Sequence, residues 1–195
     1  MATPDPVPSP AFDPLERVYL LFQSAVNQQS CERVCTAMAT LANQGYREIY
    51  LLLSTPGGAV SNGIAIYNLM RGLPCKFVTH NIGNVDSIGN VIFLGGEERY
   101  TCAYGTFMFH GVGFDMQAMR FEEKNLKQML DGIKNEHVRI GDIMRERSHL
   151  DSRYIAKLFL EARTKDADFA VEKGLAHGIR EVQIEPGRQI VSLAG

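Results

Sequence analysis

The sequence predicts an α/β protein: a mostly parallel β-sheet covered by helices, with one long helix projecting from the body. Three observations carry this. Short apolar runs alternate with helical stretches from Leu15 to about Phe109. Glycine-containing turns join strand to helix twice, at Thr55-Pro56-Gly57-Gly58 and at Gly83-Asn84-Val85-Asp86-Ser87-Ile88-Gly89. Residues 121–147 form a charge-rich stretch without proline. Strands that alternate with helices mark βαβ units, whose crossover helices cover a parallel sheet.

Residues 1–14 hold five of the eight prolines, at Pro4, Pro6, Pro8, Pro10 and Pro14. Proline lacks the N–H that helices and central strands require, so 1–14 is expected to be an extended arm and 15–195 a single domain. Residues 18–22 are an apolar run of buried-strand length. Residues 30–43 set Val34, Ala37, Met38 and Leu41 on one helical face, and Gly45 ends it. Residues 48–54 contain a near-continuous apolar strand of the kind buried on both faces. A helix is expected from about Ser61 to Arg71, a strand at 76–79, an apolar helix at 87–94, and strands at 99–103 and 106–109. No internal repeat is visible.

Residues 121–147 place Leu126, Leu130, Ile133, Ile140 and Met144 at helical spacing. About 25 residues make a helix of roughly 38 Å, against a radius of gyration near 16 Å for a domain of this size. The outer half is therefore expected to leave the body and pack on another subunit. A break near Gly132 or Gly141 would instead give two ordinary helices.

The 195 residues suit one domain. Lys plus Arg (20) and Asp plus Glu (22) nearly cancel, leaving a net charge of -2 and no large basic footprint for nucleic acid or an anionic membrane. No apolar run approaches the roughly 20 residues of a bilayer-spanning helix. Residues 1–10 lack the basic-then-apolar order of a secretory signal. The expectation is a cytoplasmic protein with no nucleic-acid or membrane partner. Cys31, Cys35, Cys75 and Cys102 show no C-x-x-C spacing and no histidine at ligand spacing, so small buried hydrophobes are expected rather than a zinc site. No metal or other cofactor is expected.

Chemistry concentrates at the two turns. Glycines at Thr55-Pro56-Gly57-Gly58 let the backbone approach a ligand, and N–H groups ahead of a helix can hold an anion or a developing oxyanion. The turn lacks the Lys and Ser/Thr of a phosphate-binding loop. In the second turn, Ser87 stands between strand and helix as a nucleophile does at an elbow, although the G-x-S-x-G spacing is absent; the competing reading is that it caps the helix. His110 ends the run Thr106-Phe107-Met108-Phe109-His110 and can serve Ser87 as general base across the sheet rim. His80, His137, His149 and His177 read as surface or packing residues.

The order strand, T-P-G-G, helix, strand, G-x-x-x-S-x-G helix, strand, F-H-G and long helix resembles the proteolytic subunit of the Clp protease family. It spans about Leu15 to Glu185. V-S-N-G-I-A-I-Y-N-L-M at 60–70 matches the helix after that family's S-P-G-G turn, and A-V-E-K-G-L at 170–175 resembles its C-terminal A-x-E-Y-G-L segment. The resemblance implies a crotonase/ClpP-like fold of repeated β-β-α units with a "handle" region at about 115–148. It implies Ser87 as nucleophile, His110 as base, and Gly58 and Ile88 as the oxyanion hole. It further implies a homo-oligomer of two stacked rings, an ATP-driven unfoldase as partner, and polypeptide substrates.

Three departures stand beside the resemblance. Counted back from Gly174, the position of the triad aspartate falls on Ala162, with Glu161, Asp166 and Asp168 nearby. A one-residue shift would make Glu161 the substitute acid; otherwise another acid serves, or the enzyme is slow or dead. Asp86 precedes the nucleophile where the family has a small residue. The proline arm replaces the family's usual N-terminal segment. The readings in play are a serine peptidase, a non-catalytic subunit of a mixed ring, and a crotonase-like enzyme acting on an acyl thioester; the Ser87–His110 pair favours the first.

Overall fold

The computed structural model describes residue 13, residues 15–113 and residues 122–193. The expected arm lies outside these except for Asp13, as do residues 115–121 of the handle region. The chain runs β1 (Arg17–Gln23), α1 (Gln28–Asn43), β2 (Glu48–Thr55), α2 (Val60–Gly72), β3 (Lys76–Asp86), α3 (Gly89–Leu94), β4 (Glu98–Thr101) and β5 (Thr106–Met108). It continues through α4 (Glu123–Arg147), α5 (Ser152–Glu161), β6 (Thr164–Lys165), α6 (Ala167–Glu172), β7 (Gly178–Ile179) and β8 (Ile190–Ser192). One sheet has the order β6-β5-β3-β2-β1-β8, with β4 bridging β3 to β7. Every pairing is parallel except β5 with β6, so the mostly parallel sheet read from the sequence is the one observed.

β3 positions the rest. Expected to stop at Thr79, it continues to Asp86 because its polar side chains find partners. Asn81 Nδ2 donates to Thr106 O at 2.9 Å, and Asn81 Oδ1 accepts from Gly83 N at 3.0 Å. His80, fully buried, lies 2.8 Å from Tyr50 Oη and 3.0 Å from Arg180 O. Such length lets one edge carry two neighbours: β4 along Val78–Asn81, then β5 along Asn84–Asp86. The C-terminal ends of β2, β3 and β5 thus converge, the location where open α/β sheets place ligands.

The core packs α1, α2 and α3 on the sheet, with Ile140 and Met144 of α4 and Ile155 and Leu158 of α5 completing it. Phe93 of α3 meets Phe107 of β5 edge-on at 5.1 Å, both fully buried. Each such ring contributes about 1.5–3 kcal/mol, and this pair ties the helix after Ser87 to the strand before His110. α4 is unbroken over 25 residues, so neither Gly132 nor Gly141 interrupts it. Only Ile140 and Met144 along it are buried; Leu126, Leu130 and Val138 are 51%, 50% and 60% exposed. Its inner end is anchored by buried Arg99, whose guanidinium donates to the carbonyls of Arg147, Gly174 and Leu175. No helix among the described residues is long and apolar enough to cross a membrane.

Candidate active site

Ser87 is neither a helical residue nor a cap. The helix expected from 87 begins at Gly89 with Ile88 as its N-cap, and Ser87 has φ +55°, in the left-handed region. A non-glycine residue there costs about 1–2 kcal/mol and persists only where its surroundings impose it. They do so here. Ser87 N donates to Met108 O at 2.8 Å, and Ser87 O accepts from Asn90 N (3.1 Å) and Asn90 Nδ2 (3.0 Å). The first turn closes against the second: a Cβ on Gly57 (φ +83°) would lie 2.7 Å from both Asp86 O and Ser87 Cβ. Only glycine lets the two turns touch.

Val26 brackets the first turn, its N–H donating to Gly57 O and its carbonyl accepting from Ala59 N, both at 2.8 Å. The N–H between these bonds, on Gly58, has no intramolecular acceptor among the described residues, and neither has that of Ile88. Gly58, Ser87, Ile88 and His110 line one pocket of about 100 Å³, with Val112, Ile140, Met144 and Phe159 as apolar wall. His110 is exposed, and its Nδ1 lies 2.7 Å from Gly111 O. A carbonyl only accepts, so Nδ1 carries the proton and Nε2 of the neutral ring is left as a base. No hydrogen bond joins Ser87 Oγ to His110 among the described residues.

None of the acids singled out from the sequence hydrogen-bonds to His110 among the described residues. Glu161, at the end of α5, pairs with Lys165 at 3.3 Å and Lys157 at 3.5 Å; the Lys165 hydrogen bond leads in holding its carboxyl below the ordinary value. It makes no hydrogen bond to His110. Asp166 Oδ1 accepts from Phe169 N as the cap of α6, and Asp168 sits in the first turn of that helix. Asp86 Oδ2 accepts from Asn84 Nδ2 at 2.6 Å. Ala162 caps α5 at φ +48°, ψ +50°. β5 and β6 pair Phe107 with Lys165 and Met108 with Thr164, where the ladder ends; Ala162 lies two residues before Thr164 in the chain and His110 two after Met108.

His137 is the residue that sequence reasoning missed. Expected to be a surface or packing residue, it accepts the N–H of Val112 on Nε2 at 2.8 Å, two residues beyond His110. Neither His137 nor His80, His149 or His177 lines the pocket of Ser87 and His110. Among the described residues, no three His, Cys, Asp or Glu side chains are grouped to hold a metal ion, and all four cysteines are free.

Comparison with known proteins bears on the family and the fold. The family model described as Clp protease matches residues 13–183. The ATP-dependent Clp protease proteolytic subunit 2 of Corynebacterium efficiens is 28% identical over 180 residues, covering 86% of this chain and 83% of the relative. Its counterpart in Corynebacterium diphtheriae is 26% identical over 181 residues, covering 87% and 83%. Among solved structures, a single-residue mutant of ClpP1 from Listeria monocytogenes superposes with a TM-score of 0.75 at 20% identity, covering 87% of this chain and 93% of that one. That likeness extends to the fold.

Proposed function

The chain belongs to the Clp protease family, and from that premise we propose that it is a serine peptidase with Ser87 as nucleophile and His110 as general base. The observation that carries this reading is the left-handed backbone of Ser87 at the strand-to-helix turn, beside a pocket shared with His110 and two undonated N–H groups. Ser87 Oγ attacks the peptide carbonyl carbon while His110 Nε2 takes its proton. The tetrahedral oxyanion accepts from the N–H groups of Gly58 and Ile88. Collapse expels the amine with the proton from His110, and water repeats the sequence to release the acyl group. The lack of a Ser87 Oγ–His110 hydrogen bond among the described residues is compatible with this, since catalytic hydrogen bonds tighten when substrate binds.

The carbonyl of Gly111 holds His110 in the tautomer that catalysis needs, which is part of what a triad acid does. It brings no full negative charge to the imidazolium. Replacing the acid of a serine-protease triad lowers kcat by about 10⁴, so a slow peptidase is the expectation, with Glu161 as the substitute acid only if Lys157 and Lys165 release it. The partly exposed stripe of α4, Leu126, Leu130 and Val138, supports assembly with further copies as stacked rings. The relatives' names, ATP-dependent Clp protease proteolytic subunits, support an ATP-driven unfoldase as partner and polypeptides as substrate. A strictly monomeric mass by light scattering at micromolar concentration would refute assembly.

The deciding experiment is labelling by a fluorophosphonate probe, with Ser87→Ala as control, alongside hydrolysis of short fluorogenic peptides. Labelling and turnover that vanish in Ser87→Ala support the peptidase. Ala162 at the acid position favours one second reading, a non-catalytic subunit of a mixed ring. Failure of the assembled protein to label would establish that reading in its place.

A further inference from the structure

Two helices hold the loop that follows β5. Gly111 N donates to Phe159 O of α5 at 3.1 Å, and Val112 N donates to His137 Nε2 of α4 at 2.8 Å. The two holders are packed on each other, with the His137 and Phe159 rings 5.1 Å apart and inclined by 30°. An N–H can donate to Nε2 only while that nitrogen is unprotonated, so His137 is the neutral tautomer with its proton on Nδ1. His110 immediately precedes this clamped dipeptide, and its own Nδ1–H is bound to Gly111 O. Whatever frees Gly111 and Val112 also moves the acceptor that orients His110.

We infer that His137 is a positioning residue for the Ser87–His110 pair: its unprotonated Nε2 fixes the loop that aims His110, and protonation of His137 releases that loop. The inference rests on the peptidase reading. Protonation puts an N–H on Nε2 facing the N–H of Val112, so two donors meet and the hydrogen bond is lost. The titratable groups around the ring are few. Asp142 on its own helix lines the same groove, and His110 lies on the loop it holds. Glu136, beside it in sequence, is paired with Arg139. From α5 the groove receives Ser152, Ile155, Ala156, Phe159 and Leu160, none of which titrates. Burial holds the imidazole pKa below its ordinary value, which keeps the clamp closed at neutral pH. Protonation of His137 should then release the loop on the acid side, adding to the acid limb of activity a contribution that a non-titrating residue at 137 removes.

The test uses the full-length protein and two variants. His137→Gln offers an amide oxygen where Nε2 stood and cannot titrate; His137→Phe keeps the ring packing on Phe159 and removes the acceptor. Amide hydrogen exchange of segment 108–113 is followed in a Ser87→Ala background, and kcat and KM across pH in the active protein. The expected result is lost protection and about a tenfold fall in kcat/KM for His137→Phe, carried by kcat. His137→Gln should keep the protection, with an acid limb shallower than the parent's. Wild-type protection in His137→Phe, or an acid limb as steep as the parent's in His137→Gln, overturns the inference. Absence of Ser87-dependent turnover in the parent overturns the peptidase reading alone. The exchange measurement then still decides the clamp: lost protection in His137→Phe supports it, and retained protection overturns it.

Discussion

Replacing Ala162 by aspartate tests whether position 162 can supply a carboxylate to His110. If the pairing of Met108 with Thr164 is carried two residues beyond the end of the ladder, it brings 162 opposite 110, where antiparallel neighbours stand about 4.5–5.5 Å apart at Cα. The backbone accommodates the change, since Ala162 is already left-handed and aspartate tolerates that conformation better than alanine. Two unit charges about 4 Å apart attract by roughly 1 kcal/mol in bulk water and roughly 4 kcal/mol at an effective dielectric of 20. His110 is exposed, so the stabilisation of its imidazolium falls between these limits, a gain of about fivefold to a thousandfold in rate. The assay is the second-order rate of fluorophosphonate labelling at Ser87, with kcat/KM on a fluorogenic peptide across the acid and neutral range. Ala162→Asn, similar in shape but uncharged, is the control and should gain little. A neighbouring carboxylate favours the protonated ring, so the acid limb of the Ala162→Asp profile should also move to higher pH. A folded Ala162→Asp protein with parental rate and an unmoved limb would refute the placement of position 162 beside His110.

Three further outcomes are expected. Gly57→Ala forces a Cβ to within 2.7 Å of Asp86 O and Ser87 Cβ at φ +83°; about 1–2 kcal/mol of conformational cost and about 1–3 kcal/mol of overpacking should lower the urea midpoint. Labelling should slow more than tenfold, and parental values of both would sink the argument for abutting turns. Glu161→Gln should leave labelling and the pH profile unchanged, because its carboxylate is held by Lys165 and Lys157; a tenfold loss would show that Glu161 serves His110 after all. Burial lowers the pKa of His80, so below about pH 6.5 the unfolded chain binds a proton that the folded one refuses. Stability should therefore fall on acidification by up to roughly 1.4 kcal/mol per pH unit for this group, less steeply in His80→Asn, as read from urea midpoints; identical slopes in the two proteins would be decisive against it.

Apolar runs made β1, β2 and the covering helices legible in the sequence, because a strand buried on both faces has to be apolar at consecutive positions, as 18–22 and 49–53 are. β3 follows another rule. His80, Asn81 and Asn84 read as the start of a loop, yet each is satisfied by a group distant in the chain, at Tyr50, Arg180, Thr106 and Thr55, and pattern in one dimension does not register such partners. β6 and β7, two residues each, exist only because β5 and β4 present edges to them. At the site, the glycine turn and the serine between strand and helix were visible as residue types; the left-handed backbone that lifts Ser87 off the helix was not, since Met108 and Asn90 impose it from outside. Counting along the chain put the acid's place on Ala162, which the structure holds left-handed at the end of α5.

His137 shows what the pattern did contain. It stands three and seven residues before Ile140 and Met144, the two buried residues of α4, so all three share one face of the helix. A polar residue on an apolar stripe faces the body, and there it must find a partner or lose the hydrogen bond that water gave it. Lysines and glutamates elsewhere on α4 are free to stay in solvent; His137 is not. The body at that height of the helix is the loop after β5, whose backbone N–H groups have no strand to donate to once β5 ends at Met108. One unpaired acceptor on the helix and one unpaired donor on the loop meet at Val112. The same contact that satisfies both also fixes the chain two residues from His110.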